Sequence, residues 1–251
     1  MIDQLAPIER ALRRNIQDVQ KLMQFDRVIL DFSISELTKL RDALSKQGIQ
    51  NPAMTAANTL QMLSNVRKND SLRSRYEVIF NQCVVLLVSV FASAVADLFR
   101  DGVNALIKGG KADKLRGEEL LLTVGALQDM DYDLTDRLGH LLAEKKDISF
   151  QDMKSIHRAF REYFGVEMPK DRIVNNIILS QAARHVIVHD AARVSDRFMK
   201  QVSGAKPRDI KNELDGHQSI QFDTDEVDTV ADSMLSYFSD LRKKVENQLG
   251  S

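Results

Sequence analysis

Between Val78 and Ala96 the chain reads VIFNQCVVLLVSVFASAVA, nineteen residues without a single charge. A helix that is apolar on every side belongs either inside a bilayer or inside a shell of other helices. Asn81 and Gln82 lie within the run, and Arg75, Glu77 and Asp97 flank it closely. These favour the second placement, so the segment from about Ser74 to Ile107 is predicted to be the buried spine of a helical protein.

The remaining sequence has to supply the shell. Four prolines and eleven glycines punctuate 251 residues, and apolar residues recur at three-or-four spacing rather than in alternation, which predicts an all-α chain. Leu5, Ile8, Leu12, Ile16, Val19 and Leu22 form one helical stripe. A second helix is expected to begin at SISE, with Ser33 and Glu36 as a capping box, and to end at Gly48 and Pro52. A third covers Ala53 to about Val66, followed by a polar turn at Lys68–Ser71. Beyond the Gly109–Gly110 break, helices are expected at Glu118–Met130 and Leu134–Lys145. Another starts after Ser149 as N-cap and ends at Gly165. One runs from Lys170, and one covers Ala191–Lys200. Asp223 and Glu226 then cap a closing helix, while Ser219–Phe222 is the one short piece that reads as extended.

Charge and cysteine content narrow the function classes. The net charge is −1, so no global field attracts nucleic acid, and a basic surface has to be local. From Lys170 to Lys211, nine basic residues stand against four acidic ones. Cys83, the lone cysteine, reads as a core residue and fits a reducing, cytoplasmic setting. The N-terminal sequence has no apolar secretory core, and no membrane association is expected. The methionines read as core filler.

The same basic region contains ARHVIVHDAARVSDRF, from Ala183 to Phe198. On an ideal helix Arg184 and His189 point about 140° apart. Joint action on one substrate therefore calls for a break. The β-branched run Val186–Val188 and the N-cap residue Asp190 predict a helix end near Val188 and a new helix from Ala191. Free N–H groups at Ala191 and Ala192 would then face a phosphate. Structural alternatives stand beside this reading: Arg184 can cap a helix end, and His140, His157 and His217 read as solvated or structural. His185 and His189, four residues apart, could hold zinc only with further ligands, and none is identifiable. Arg193, Arg197 and Lys200 are candidate RNA contacts or ordinary solvated side chains.

The string R-H-V-I-V-H resembles the Arg, polar residue, three variable residues, His pattern of the HEPN superfamily. FREYFGVEMPKDRIVNNIILSQAARHVIVHDAARVSDRF looks like that family's order of helix, turn, helix ending in the motif, and following helix. SIQFDTDEVDTVADSMLSYFSDL is similar to its short extended piece and closing helix. The resemblance implies an up-and-down helical bundle of HEPN type over residues 71–251, with 1–70 as an N-terminal helical extension. It also implies a metal-independent endoribonuclease without cofactor, used in host defence or as a toxin. Such an enzyme would be a homodimer with the site at its interface, opposed by an antitoxin or regulatory protein. His189 would transfer protons, Arg184 would hold the phosphate and His185 would orient it or supply a second proton step, with Asp97 as a possible auxiliary acid. The alternatives are a non-catalytic HEPN-like module binding RNA, nucleotide or a protein partner, and a helical scaffold whose histidines are incidental.

Overall fold

The computed structural model describes residues 5–68, 73–216 and 218–250, and among these the chain is all-α. The helices are α1 (Ala6–Lys46), α2 (Gln50–Lys68), α3 (Arg73–Lys108), α4 (Val124–Asp129), α5 (Leu138–Lys145), α6 (Met153–Phe164), α7 (Arg172–His189), α8 (Asp196–Val202) and α9 (Thr224–Gly250). The expected turn at Lys68–Ser71 lies, beyond Lys68, outside the described residues.

The spine is α3. Cys83, Val84, Leu87, Phe91, Val95 and Phe99 are fully buried on it, and α1, α5, α6, α7 and α9 all pack against it. Phe99 anchors an aromatic cluster, with the rings of Phe150, Phe160, Tyr163 and Phe164 all 5.4 to 5.8 Å away. The enclosure is incomplete, because Val78 and Leu86 remain exposed. By length and composition Val78–Lys108 could also cross a membrane. Here its buried face is covered by other helices, as expected for a core helix.

Helix directions follow from the cross-links. Val19 of α1 lies beside Cys83, and Pro7 lies beside Asp97, so α1 runs antiparallel to α3. The Asn81 side chain bonds Ile220 and Phe222, while Gly102 touches Val245, so α9 runs parallel to α3. Asn176 bonds Ser233 and the Ala192 carbonyl accepts from Ile220, so α7 runs antiparallel to α9. The C-terminus of α7, the N-terminus of α9, the start of α3 and the middle of α1 therefore share one end of the bundle.

Several expected boundaries are corrected. Ser33–Glu36 begins no helix: α1 is continuous from Ala6 to Lys46, because no Gly or Pro interrupts Val19–Leu44 and a capping box acts only where the chain first enters a helix. Past Met23, the half-buried Leu30, Ile34, Leu37 and Leu44 turn toward α2, and the two helices project beyond the core as a hairpin. Gly48, with φ of 74°, makes the reversal. Residues 118–123 are not helical, and α4 begins only after Thr123, whose hydroxyl accepts from Ala126. Asp152, not Ser149, caps α6. The capping box at Asp223 and Glu226 forms as expected, with reciprocal bonds of 2.9 and 3.1 Å. The piece around Ser219 makes only an isolated antiparallel bridge to Arg193. Of the methionines, Met23, Met153 and Met234 fill the core, whereas Met54 and Met62 on α2 are exposed. Leu5, the N-cap of α1, and Leu12, Ile16, Val19 and Met23 in its first half join the same core as α3 and α9.

Candidate functional site

Polar groups fix α7 as firmly as apolar ones. Its N-cap Asp171 accepts from Val174 at 3.0 Å. The buried Asn176 bonds Asp209 and Ser233, and Asn175 donates to the Pro207 carbonyl. Gln181 accepts from the backbone N–H of Met153 at the start of α6. Each buried amide thus satisfies a loop or a helix start that apolar packing alone would leave unpaired. Ala182, Ala183 and Val186 press on the core, and the helix phase places the motif residues on the remaining faces.

The helix runs unbroken through His189, and Asp190 is its C-cap rather than the N-cap of another. The β-branched run does not stop it, because Val186 is buried against the core and that packing outweighs a few tenths of a kcal/mol of propensity. The chain reverses instead through Ala191 and Ala192, both left-handed at φ of 49° and 61°, a conformation costing roughly 1–2 kcal/mol per alanine. The N–H groups of Asp190 and Ala192 both donate to the Val186 carbonyl, at 2.9 and 2.8 Å. The Ala192 N–H is therefore spent on closing α7 and is not open to a phosphate. The next helix, α8, begins only at Asp196, with Ser195 accepting from Phe198. Two backbone bonds, Val194 to Gln218 and Ile220 to Ala192, tie the reversed chain to the segment before α9, and Asn81 pins that segment to α3.

An unbroken helix determines which side chains meet. His185 and His189, one turn apart, stack at a tilt with ring centroids 5.0 Å apart, and both are exposed. Arg184 departs from them by the helical angle. It is half-buried, donates to Gln151 at 3.1 Å, and keeps a buried Nε with no partner among the described residues. Within one chain the two imidazoles converge and the guanidinium does not join them. The pair can accept and donate protons at neighbouring points on one face.

The positive charge between Lys170 and Lys211 is unevenly committed. The Arg208 guanidinium is buried and donates to the carbonyls of Val202, Ala205, Ile210 and Lys211, so it holds the loop together. Lys211 pairs with Glu226, and Arg172 pairs with Asp209. Arg193, Arg197 and Lys200 are exposed, with no carboxylate partner among the described residues. Asp97 is exposed beside Arg100 and near Pro7. It lies roughly 24 Å along α3 from Asn81, at 1.5 Å per residue, so the structure does not bring it to the motif. His140 lines a cleft of about 530 Å³ between α4 and α5, near the opposite end of α3. His157 is half-buried against Tyr237, and His217 lies outside the described residues. Sequence spacing gave no sign of Gln151, because an amide preceding a helix start carries no periodic signal.

Compared with known proteins, the chain matches no family model, no curated protein and no solved structure.

Proposed function

We propose that the chain is a metal-independent endoribonuclease of the HEPN type, cleaving RNA by attack of the 2′-hydroxyl to leave a 2′,3′-cyclic phosphate. The observation that carries this reading is the pair of exposed imidazoles 5.0 Å apart at the end of α7; the segment that follows carries the exposed Arg193, Arg197 and Lys200, without a carboxylate partner among the described residues. RNA supplies its own nucleophile, so the protein has to accept one proton, return one to the leaving 5′-oxygen and steady the phosphorane charge. Two neighbouring imidazoles suit the proton steps, and general acid–base action contributes roughly 10²–10⁴-fold. The planar fork of Arg184 matches two phosphate oxygens. Because Arg184 diverges from the histidines of its own helix, the reading places it against the histidines of a second copy, giving a homodimer with shared sites. A role in defence or as a toxin restrained by an antitoxin belongs to the same proposal.

The test incubates the full chain with total RNA in excess EDTA and maps the new ends. Cyclic phosphate ends are expected from the wild type, with a loss of about 10²-fold or more in His189→Ala. Equal patterns for both proteins, or strict dependence on added metal, would overturn the assignment. Mixing His189→Ala with Arg184→Ala should restore part of the activity, since one of the two shared sites is then complete. One observation favours a second reading, a non-catalytic module binding RNA, nucleotide or a protein: the hydrogen bond from Arg184 to Gln151. That reading predicts RNA or partner affinity without any new ends.

A further inference from the structure

We propose that the outer face of α1 is an antiparallel interface with a second copy of this chain. Between Leu22 and Phe32, α1 turns Leu22, Phe25, Val28, Ile29 and Phe32 away from α2, and each is 47 to 62% exposed. These five side chains present on the order of 500 Å² of apolar surface, at the size where patches on monomers stop being ordinary.

What identifies the occupant is the order of charges around the patch. Asp18 and Lys21 precede it, and Glu36 and Lys39 follow it. At 100° per residue, these four and the Phe25–Phe32 patch share one sector about 100° wide. A two-fold axis between Val28 and Ile29 aligns a second, antiparallel α1 so that the paired residue numbers sum to a constant. Phe25 then meets Phe32, Val28 meets Ile29, Lys21 meets Glu36 and Asp18 meets Lys39, and each contact occurs twice. An isologous interface needs this self-complementarity, and a parallel pairing of the same face would set like charges opposite each other. The four charged side chains are 48 to 75% exposed and, among the described residues, pair along their own helix, Lys21 with Asp18 and Lys39 with Glu36. They are free to extend to a partner.

The fit continues along the rod. Arg10, Arg14 and Gln17 are also exposed, leaving the proximal outer face open to the partner's hairpin tip. The paired stretch from Asp18 to Lys39 spans about 32 Å. Two apolar faces with their charged flanks bury more than about 1,000 Å² in total, where specific interfaces begin. The interface is argued from α1 alone and does not depend on whether the chain cleaves RNA.

Sedimentation equilibrium on the full chain tests it. Ile29→Lys sets two ammonium groups beside the axis and should halve the particle mass of the wild type, with the helical circular-dichroism spectrum unchanged. Lys21→Glu and Glu36→Lys should each weaken self-association by roughly tenfold or more through like-charge contacts. Mixed together, the two variants should associate more tightly than either does alone, because every charged contact in the mixed pair is then complementary. An interface elsewhere, including one that joins the ends of α7, would not respond to this exchange. A wild type that stays monomeric at micromolar concentration, an unchanged mass for Ile29→Lys, or a mixture no tighter than its components would overturn the proposal. So would monomers that use the face for a foreign helix or a lipid surface.

Discussion

His157 lies with its ring stacked on Tyr237 at 6.0 Å, and both its Nε2 and the Tyr237 hydroxyl are buried without a partner among the described residues. Burial, assisted by the positive charge of Lys170, lowers the His157 pKa, because charging an imidazole there means removing a cation from water. The unfolded chain then binds this proton more readily than the folded one. Stability contributed here is fully present above the unfolded pKa, near 6.5, and is lost as pH falls from there through the folded value. The melting temperature should therefore fall as pH drops below about 6.5, and His157→Phe, which keeps the ring stack, should flatten that slope. An equally steep slope in the variant would rule out this histidine as its source. At this scale the sequence was informative about burial and silent about conformation. Cys83 reads as a core residue and is one, its thiol pushed up to about 11 by burial. Ala191 and Ala192 give no hint of left-handed backbone, because alanine carries no chemical mark of the turn it is forced to make.

Helix α5 approaches α3 as closely as backbones allow. A Cβ built on Gly139 would lie 2.1 Å from the Arg100 carbonyl oxygen. Asn104 holds the approach by accepting from the Gly139 N–H at 2.8 Å and donating to the Asp136 carbonyl at 2.7 Å. Gly139→Ala has no flexible neighbour to displace. It should cost about 2–4 kcal/mol in urea unfolding, toward the upper end of overpacking effects. A cost below about 0.5 kcal/mol, the range of surface changes, would mean that the two helices part freely. Elements carried by a long apolar run or a clear apolar stripe bounded by caps and glycines, such as α3, α7 and α9, were legible to within a few residues. The single long α1 was not, because a Ser-x-x-Glu signature looks the same at a helix start and in mid-helix. The capping residue of α6 was missed for a related reason: Ser149 and Asp152 are both good caps, and only the position of Met153 in the core decides between them.

The whole bundle shares one core, and α1 spans its edge. Leu5, Leu12, Ile16, Val19 and Met23 are almost fully buried against α3 and α9. At about 1.5–3 kcal/mol per side chain, their contribution is roughly 10 kcal/mol, comparable to the entire stability of a typical domain. A fragment of residues 71–251 should therefore show no cooperative thermal transition, and it should bind a hydrophobic dye. Cooperative melting of that fragment would show that the C-terminal helices suffice. The all-α class followed from periodicity, whereas the course of residues 1–70 did not. Residues 5–23 pack in the core and the rest of the α1–α2 hairpin projects, and only the partner surfaces distinguish one amphipathic stripe from the other. The motif was found as a string, but which of its side chains meet depended on one helix boundary: the unbroken α7 pairs the two histidines with each other.

No residue from Ala6 to Lys46 interrupts α1, so a stiff rod of about 60 Å has one end gripped by the protein interior and the other held out in solvent. The free arm is a handle on the gripped one. Whatever grasps the tip pulls on a rod whose other half, through Leu12, Ile16 and Val19, is embedded in the same core as α3 and α9.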